Sequence, residues 1–220
     1  TDFRNGVTMN IISPIDLLLP YQLKWYNDRS RWKAGCMSRQ VGKDFSTSAE
    51  IVADCKTNSA TTWMYAAPSE RQSFESVLKC REWSEAFDFA IADVLEERPS
   101  AGALMSNATI VFPNKSRIIC VPGKPDTVRG FSANVALTEF AFFEDPDATW
   151  KAILPSVTNP LRGGEKKVRI ISTPNGKSGR GSRFYKIISD PKKWSVHFVT
   201  IYDAVRQGLA RRVGIGVQRL

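Results

Sequence analysis

The residues best suited to chemistry begin with Gly42 and Lys43, preceded by Ser38-Arg39-Gln40-Val41 and followed by Asp44. A glycine lets backbone N–H groups approach phosphate oxygens closely, and a lysine supplies a mobile ammonium. A helix that follows adds the positive end of its dipole. Residues 35–44 therefore read as a phosphate-binding loop. The match to G-x-x-x-x-G-K-[ST] is not literal, because Met37 stands where the first glycine belongs and Asp44 where the hydroxyl belongs. On its own the glycine–lysine pair is a weak signal and better suits a surface turn before a helix. Two further positions change that balance: Glu139 closes the apolar run Val135-Ala136-Leu137-Thr138, and Ser172-Thr173-Pro174 closes the run 168–171.

These groups meet only if the runs are strands of one open α/β sheet, whose ligands sit at the carboxyl ends of the strands. The elements predicted around them fit that requirement. Residues 31–37 form a first strand, and 44–54 a helix with Phe45, Ala49 and Val52 along one stripe. Residues 61–67 are β-prone and stop at Pro68, after which Ser69 is a good N-cap with Glu70 and Gln72 in the first turn. The next helix is expected to bury Phe74, Val77 and Leu78, with Trp83 and Phe87 off that stripe. Residues 96–103 read as loop, 109–121 as a hairpin, and 123–132 as a loop carrying Lys124 and Arg129. A turn at 140–145, a helix at 147–154, a short helix at 184–188 and a last strand at 196–201 complete the pattern. Alternation of strands and helices implies a mainly parallel sheet with helices on both faces. Upstream, Tyr21 and Gln22 open a helix just before the loop. Such a pair can hold an adenine by stacking and by its amide, or can simply pack a helix end.

Bulk properties narrow the classes. The chain has 220 residues, 42% of them apolar, which suits one sizeable domain. Its formal net charge of +9 favours a polyanionic partner, although both signs are spread along the chain. Four cysteines without C-x-x-C spacing and a single histidine, His197, argue against a zinc site or a disulfide framework. His197 lies in a strand-like run and reads as structural. No apolar run reaches membrane-spanning length, no secretory pattern opens the chain, and a reducing cytosol is the expected compartment.

Taken together, Ser38-Arg39-Gln40-Val41-Gly42-Lys43, Arg129-Gly130-Phe131-Ser132, Glu139 with Phe140-Ala141-Phe142, and Ile171-Ser172-Thr173-Pro174-Asn175-Gly176 resemble the N-terminal ATPase domain of the large terminase subunit of tailed phages. The resemblance covers about residues 14–203 and looks nearest to terminases of Mu-like phages. It implies a P-loop ATPase that packages double-stranded DNA into procapsids, using ATP and Mg²⁺ in the host-cell cytoplasm. Its implied partners are the portal protein, the small terminase subunit and further copies of itself in a ring. Tyr21 and Gln22 would recognise adenine, and Ser38 to Asp44 would hold the nucleotide, with Lys43 on the β/γ-phosphates. Arg39 would sense or stabilise the γ-phosphate, Glu139 would activate water, and Ser172-Thr173-Pro174 would couple hydrolysis to DNA movement. Arg129 falls where the family often has an arginine near a neighbouring site, and the alternative is a loop-bracing salt bridge. Lys124, Arg162, Lys166, Lys167, Lys177 and Arg180, all in loops, would meet DNA phosphates.

Two departures from the family pattern matter. Asp44 replaces a serine or threonine, and Thr138 replaces the aspartate that holds magnesium. Both positions face one metal in P-loop enzymes. Read together they are an exchange, in which Asp44 and Thr138 rebuild the Mg²⁺ site from opposite sides. A helicase-like motor, or a nucleotide-binding or assembly module that has lost hydrolysis, are the competing readings. Residues 1–10 are expected to be a leader, 11–203 the ATPase domain and 204–220 a basic tail. No strand-plus-aspartate nuclease pattern follows, so no nuclease activity is expected of a chain that would be a fragment, a split product or a prophage remnant.

Overall fold

The structure, a computed structural model, describes residues 13–89, 91, 93–97, 107–130, 132–158 and 165–214. The expected leader, Phe131 and Arg162 lie outside the described residues.

The central strands are β1 (Trp32–Met37), β2 (Thr62–Ala67), β5 (Arg117–Pro122), β6 (Asn134–Thr138), β7 (Val168–Ser172) and β8 (Ser195–Val199). They lie side by side in the order β5-β2-β6-β7-β1-β8, and every pairing among them is parallel. An antiparallel extension, β3 (Asp93–Glu97) and β4 (Asn107–Val111), continues the sheet beyond β5. The mainly parallel architecture read from the alternation of elements is thus present.

Helices cover both faces, because parallel strands must bury two sides. On one face α2 (Lys43–Thr57) and α3 (Glu70–Ala86) pack over Trp63, Tyr65, Ile118 and Cys120. On the other, α5 (Pro146–Thr158) and α6 (Ser182–Ser189) cover Met64, Ala66, Leu137 and Ile170. The alternation within β2, Trp63 and Tyr65 one way and Met64 and Ala66 the other, follows from the two-residue repeat of a strand. A third cluster joins Tyr21 and Trp25 of α1 (Pro20–Asn27) to Met37, Val41, Ile171 and Val199. Ala204 of α7 (Ile201–Arg206) and Leu209 of α8 (Leu209–Arg212) belong to the same cluster, so the chain beyond Asp203 packs on this body through these two short helices.

Several local expectations need correction. Glu96 and Glu97 are strand, not loop: they pair with Ala108 and Asn107 at the sheet edge. Charged residues on an edge strand discourage pairing with another chain, which is why this strand lacks an apolar signature. The buried stripe of α3 runs through Ser73, Ser76, Val77, Cys80 and Trp83, whereas Phe74 is 40% exposed. Ser73 and Ser76 tolerate burial because their hydroxyls donate to the carbonyls of Ser69 and Gln72. Trp83 stays on the stripe by donating its indole N–H to Phe45 O at 2.8 Å and stacking on Phe87. The last strand stops at Val199, where Thr200 and Asp203 cap α7 reciprocally and carry Ile201 into a helix. Between Gly123 and Ser132 the chain forms a short helix, α4 (Pro125–Val128).

Candidate active site

The loop between β1 and α2 starts at Ser38, whose N–H donates to Val199 O at 2.9 Å. It turns through Gln40 (φ 58°) and Gly42 (φ 75°), both left-handed. Any other residue at Gly42 would be strained by the positive φ, and its Cβ, 2.3 Å from Gln22 Nε2, would displace that amide. Val41 is buried beneath the turn, and its carbonyl accepts from Tyr21 Oη at 2.7 Å and Gln22 Nε2 at 3.0 Å. Gln22 Oε1 in turn accepts from Leu19 N at 2.9 Å. In this arrangement Tyr21 and Gln22 serve the packed helix end, the alternative to an adenine contact. Both are buried and spend their polar ends on bracing the loop, and burial pushes the Tyr21 phenol up to about 12.

α2 opens at Lys43, aiming its first N–H groups at the same space as the loop. Lys43 Nζ lies 2.7 Å from Glu139 Oε1. Glu139 follows β6 with φ 51°, a left-handed conformation that costs energy for any residue but glycine. Its other oxygen, Oε2, accepts from both the N–H and the hydroxyl of Thr173 at 3.1 Å. Burial opposes ionisation of Glu139, but the Lys43 ammonium and the two Thr173 donors outweigh it and hold the carboxyl below the usual glutamate range. Ser172 completes the latch by accepting from Ala141 N at 3.2 Å while donating to Thr173 O. The three strand ends picked out from sequence are therefore in contact, with Pro174 exposed just beyond them.

Asp44 and Thr138 are also brought together, as the exchange reading required. The Thr138 hydroxyl donates to Asp44 Oδ1, and Tyr65 Oη reaches the same oxygen at 3.3 Å. Among the described residues there is no group of three or more His, Cys, Asp or Glu side chains arranged to hold a metal. Magnesium does not need one: it takes one or two carboxylates, several waters and substrate phosphates. A carboxylate and a hydroxyl beside the loop between β1 and α2 fit that donor set.

A cavity of about 420 Å³ sits above these groups, lined by Arg39, Gln40, Lys43 and Asp44 on one wall and by Glu139 and Thr173 on another. Pro68 and Gln72, from the connection between β2 and α3, also line it. In the sequence Gln72 stands out only as a first-turn residue of α3. Its place at the cavity follows from β2 lying next to β6, which no local pattern reports. Arg39 is exposed and forms no ion pair or hydrogen bond among the described residues. Arg129 is elsewhere: it pairs with Asp126 at 3.4 Å across α4, both side chains exposed, and does not line this cavity. Here the loop-bracing alternative describes the single chain better than a role in its own pocket.

His197 is structural, as expected. Its Nε2 lies 2.7 Å from Asp28 Oδ2 and its ring meets Trp25 edge-on. Of the loop cations, Lys177 and Arg180 follow β7 on the cavity side, while Lys167 precedes β7 at the opposite end. Lys167 is tied to Asp54 at 2.6 Å, so it is a less free cation than its loop position suggested.

Comparison with known proteins bears out the resemblance. The family described as terminase large subunit, T4likevirus-type, N-terminal, matches residues 35–215. The Mu-like prophage FluMu protein gp28 of Haemophilus influenzae is 29% identical over 208 residues, covering 91% of this chain and 39% of that protein. The probable terminase large subunit gp28 of Escherichia phage Mu is 28% identical over 206 residues, covering 90% of this chain and 36% of that protein. The chain thus spans well under half the length of these relatives. In fold it is similar to the large terminase ATPase domain of Thermus phage P74-26, with a TM-score of 0.61, 20% identity, and coverage of 90% of this chain and 89% of that one. It is also similar to the large terminase of another thermophilic bacteriophage in complex with ADP, with a TM-score of 0.63, 16% identity, and coverage of 90% and 50%.

Proposed function

The chain belongs to the N-terminal family of phage terminase large subunits, and from that premise we propose that it is the ATP-hydrolysing motor domain of a DNA-packaging terminase. The observation that carries this reading is the 2.7 Å contact between Lys43 Nζ and Glu139 Oε1 at the mouth of the cavity. A lysine fit for phosphate and a carboxylate fit for water neutralise each other until a triphosphate arrives.

The triphosphate seats on the loop N–H groups and the start of α2, with Lys43 and Arg39 as its cations. As Lys43 turns to phosphate, Glu139 Oε1 is released while Oε2 stays fixed by Thr173. Glu139 then accepts a proton from a water. The water oxygen bonds to the γ-phosphorus, the bond from that phosphorus to the β–γ bridging oxygen breaks, and ADP and phosphate form. Asp44 and Thr138 would hold Mg²⁺, which when bound offsets the charge that builds on the phosphate oxygens. Because Ser172 and Thr173 clasp Glu139 and its turn, loss of the γ-phosphate is felt at the end of β7. The exposed cations Lys177 and Arg180 follow it, suited to double-stranded DNA phosphates. A portal, a small subunit and neighbouring copies in a ring are the partners such a motor works with.

Phosphate release by the purified chain, with and without Mg²⁺ and beside Lys43→Ala and Glu139→Ala, tests the reading. Mg²⁺-dependent release that both variants abolish is expected. A parent chain that binds nucleotide but releases no phosphate would mean that the domain is a nucleotide-binding module. DNA binding is expected to weaken steeply with salt, and salt-insensitive binding would count against phosphate contacts.

A further inference from the structure

The cavity at the phosphate loop adjoins a smaller one of about 170 Å³. The two share Asp44, Gln72 and Glu139 as lining residues. Glu75, Ser76, Lys79 and Thr138 also line the smaller space and bring polar groups to it, and it is roomy enough for several waters. Gln72 stands between the two spaces.

Gln72 is exposed on the first turn of α3 and meets the hydroxyl of its neighbour Ser69. Ser69 Oγ accepts from Gln72 N at 3.4 Å, so its proton is free to donate to Gln72 Oε1, 3.1 Å away. The carbonyl end of the amide is therefore anchored. The NH₂ end has no partner among the described residues and belongs to a residue lining both cavities. We propose that Gln72 is a catalytic residue that donates from Nε2 to the attacking water and sets it against Glu139. This rests on the hydrolytic reading above.

The chemistry favours an amide at this place. A lysine or arginine would pair with Glu139 and reduce its basicity. A carboxylate would repel the γ-phosphate, with Asp44 already close. A neutral donor orients water without either effect, while Arg39 and Lys43 serve the phosphates. Gln72 takes no proton itself; Glu139 remains the base.

Single-turnover hydrolysis and the affinity for a non-hydrolysable ATP analogue, measured on the full chain, test this. Gln72→Ala is expected to slow the chemical step by about 10²-fold, as for removal of one preorganised donor. Analogue affinity and thermal stability should stay close to the parent. Ser69→Ala, which frees the amide, should cause a smaller loss in the same direction. An unchanged rate in Gln72→Ala would overturn the assignment. So would a loss of affinity equal to the loss of rate, which would make Gln72 a uniform phosphate binder. Glu139→Gln run alongside separates the two failures. If it hydrolyses at the parental rate, the hydrolytic reading falls and Gln72 with it. If it is inactive while Gln72→Ala is not impaired, only the role of Gln72 falls.

Discussion

Two lysine–glutamate pairs of nearly equal length tie α2 to the sheet, one midway along the helix and one at its start. Lys33 of β1 meets Glu50 of α2 at 2.8 Å, and Lys43 at the start of α2 meets Glu139 at 2.7 Å. Distance does not distinguish them; saturation does. The Lys33 ammonium spends its three protons on Glu50, Trp25 O and Asp28 O. Glu50 gives its second oxygen to Arg169 at 2.8 Å. All three side chains are at most 3% exposed. Lys43 has one partner among the described residues, and its glutamate is 21% exposed to the cavity. A full hydrogen-bond set in a dry place makes structure. An incomplete set beside open space leaves donors for a ligand.

The comparison breaks most sharply at the open pair. On the proposed mechanism, in which both groups act on the transition state, Lys43→Ala or Glu139→Gln is expected to lower single-turnover ATP hydrolysis by about 10³-fold or more. Unfolding in denaturant should shift by less than it does for the closed pair, because the cavity lets water reach Glu139, 21% exposed. A large loss of stability with little loss of rate would show that this pair, too, is scaffold.

The closed pair should behave in the opposite way. Glu50→Gln leaves Lys33 and Arg169 facing each other without their shared carboxylate, a change that costs about 3–5 kcal/mol in buried networks. Hydrolysis per folded molecule should be near the parental value. Burial already brings Lys33 down to about 8, with Glu50 opposing that shift. Removing Glu50 lowers it further. A lysine with a depressed folded pKa contributes stability that is present above its unfolded value and is lost as pH falls through the folded one. The variant sheds the Lys33 proton at lower pH than the parent does. Its deficit, measured by denaturant melts, should therefore shrink as pH rises towards 8.

Only one of these two pairs was legible in the sequence. Gly42-Lys43, Glu139 and Ser172-Thr173-Pro174 announce themselves because each interrupts an apolar run at a strand end, where polar groups otherwise have no reason to recur. Lys33 and Arg169 sit inside strands, and Glu50 reads as a solvated helix residue. Their meeting depends on β1 lying beside β7 with Lys33 opposite Arg169. Register of that kind is a property of the assembled sheet, not of any window. The brace formed by Tyr21 and Gln22 was half legible: their place before the loop could be read, but not that their polar ends turn inward to Val41 O.

Between the extremes lies the Asp44–Thr138 pair, which is in contact but only partly buried. Asp44→Ser alone is expected to weaken Mg²⁺-dependent hydrolysis about 10–100-fold, in line with losses on altering metal-site partners. Adding Thr138→Asp should restore part of it, since a carboxylate and a hydroxyl are again present with their sides exchanged. Titrating Mg²⁺ against rate in the two variants reads this directly. A double variant as impaired as the single one would show that the two positions do not serve a common ion.

Arg129 tests the rule from the other side, as a cation that is neither saturated nor poised over the cavity. Its pair with Asp126 spans 3.4 Å with side chains 66% and 92% exposed. Exposed pairs of this kind contribute about 0–1 kcal/mol, so Arg129→Ala should leave stability within about 0.5 kcal/mol of the parent. At dilution, where each chain works alone, its single-turnover rate should also be unchanged, because the side chain does not line its own pocket. A role at a neighbouring copy would appear only on mixing. On the proposed mechanism Lys43→Ala would have an inactive pocket but an intact Arg129, and Arg129→Ala the reverse. If Arg129 acts across copies, the mixture should hydrolyse faster at high concentration than the sum of the separate proteins. A dilute Arg129→Ala chain that is already slow would place the arginine's effect within its own fold, and an additive mixture would leave it as a brace for α4.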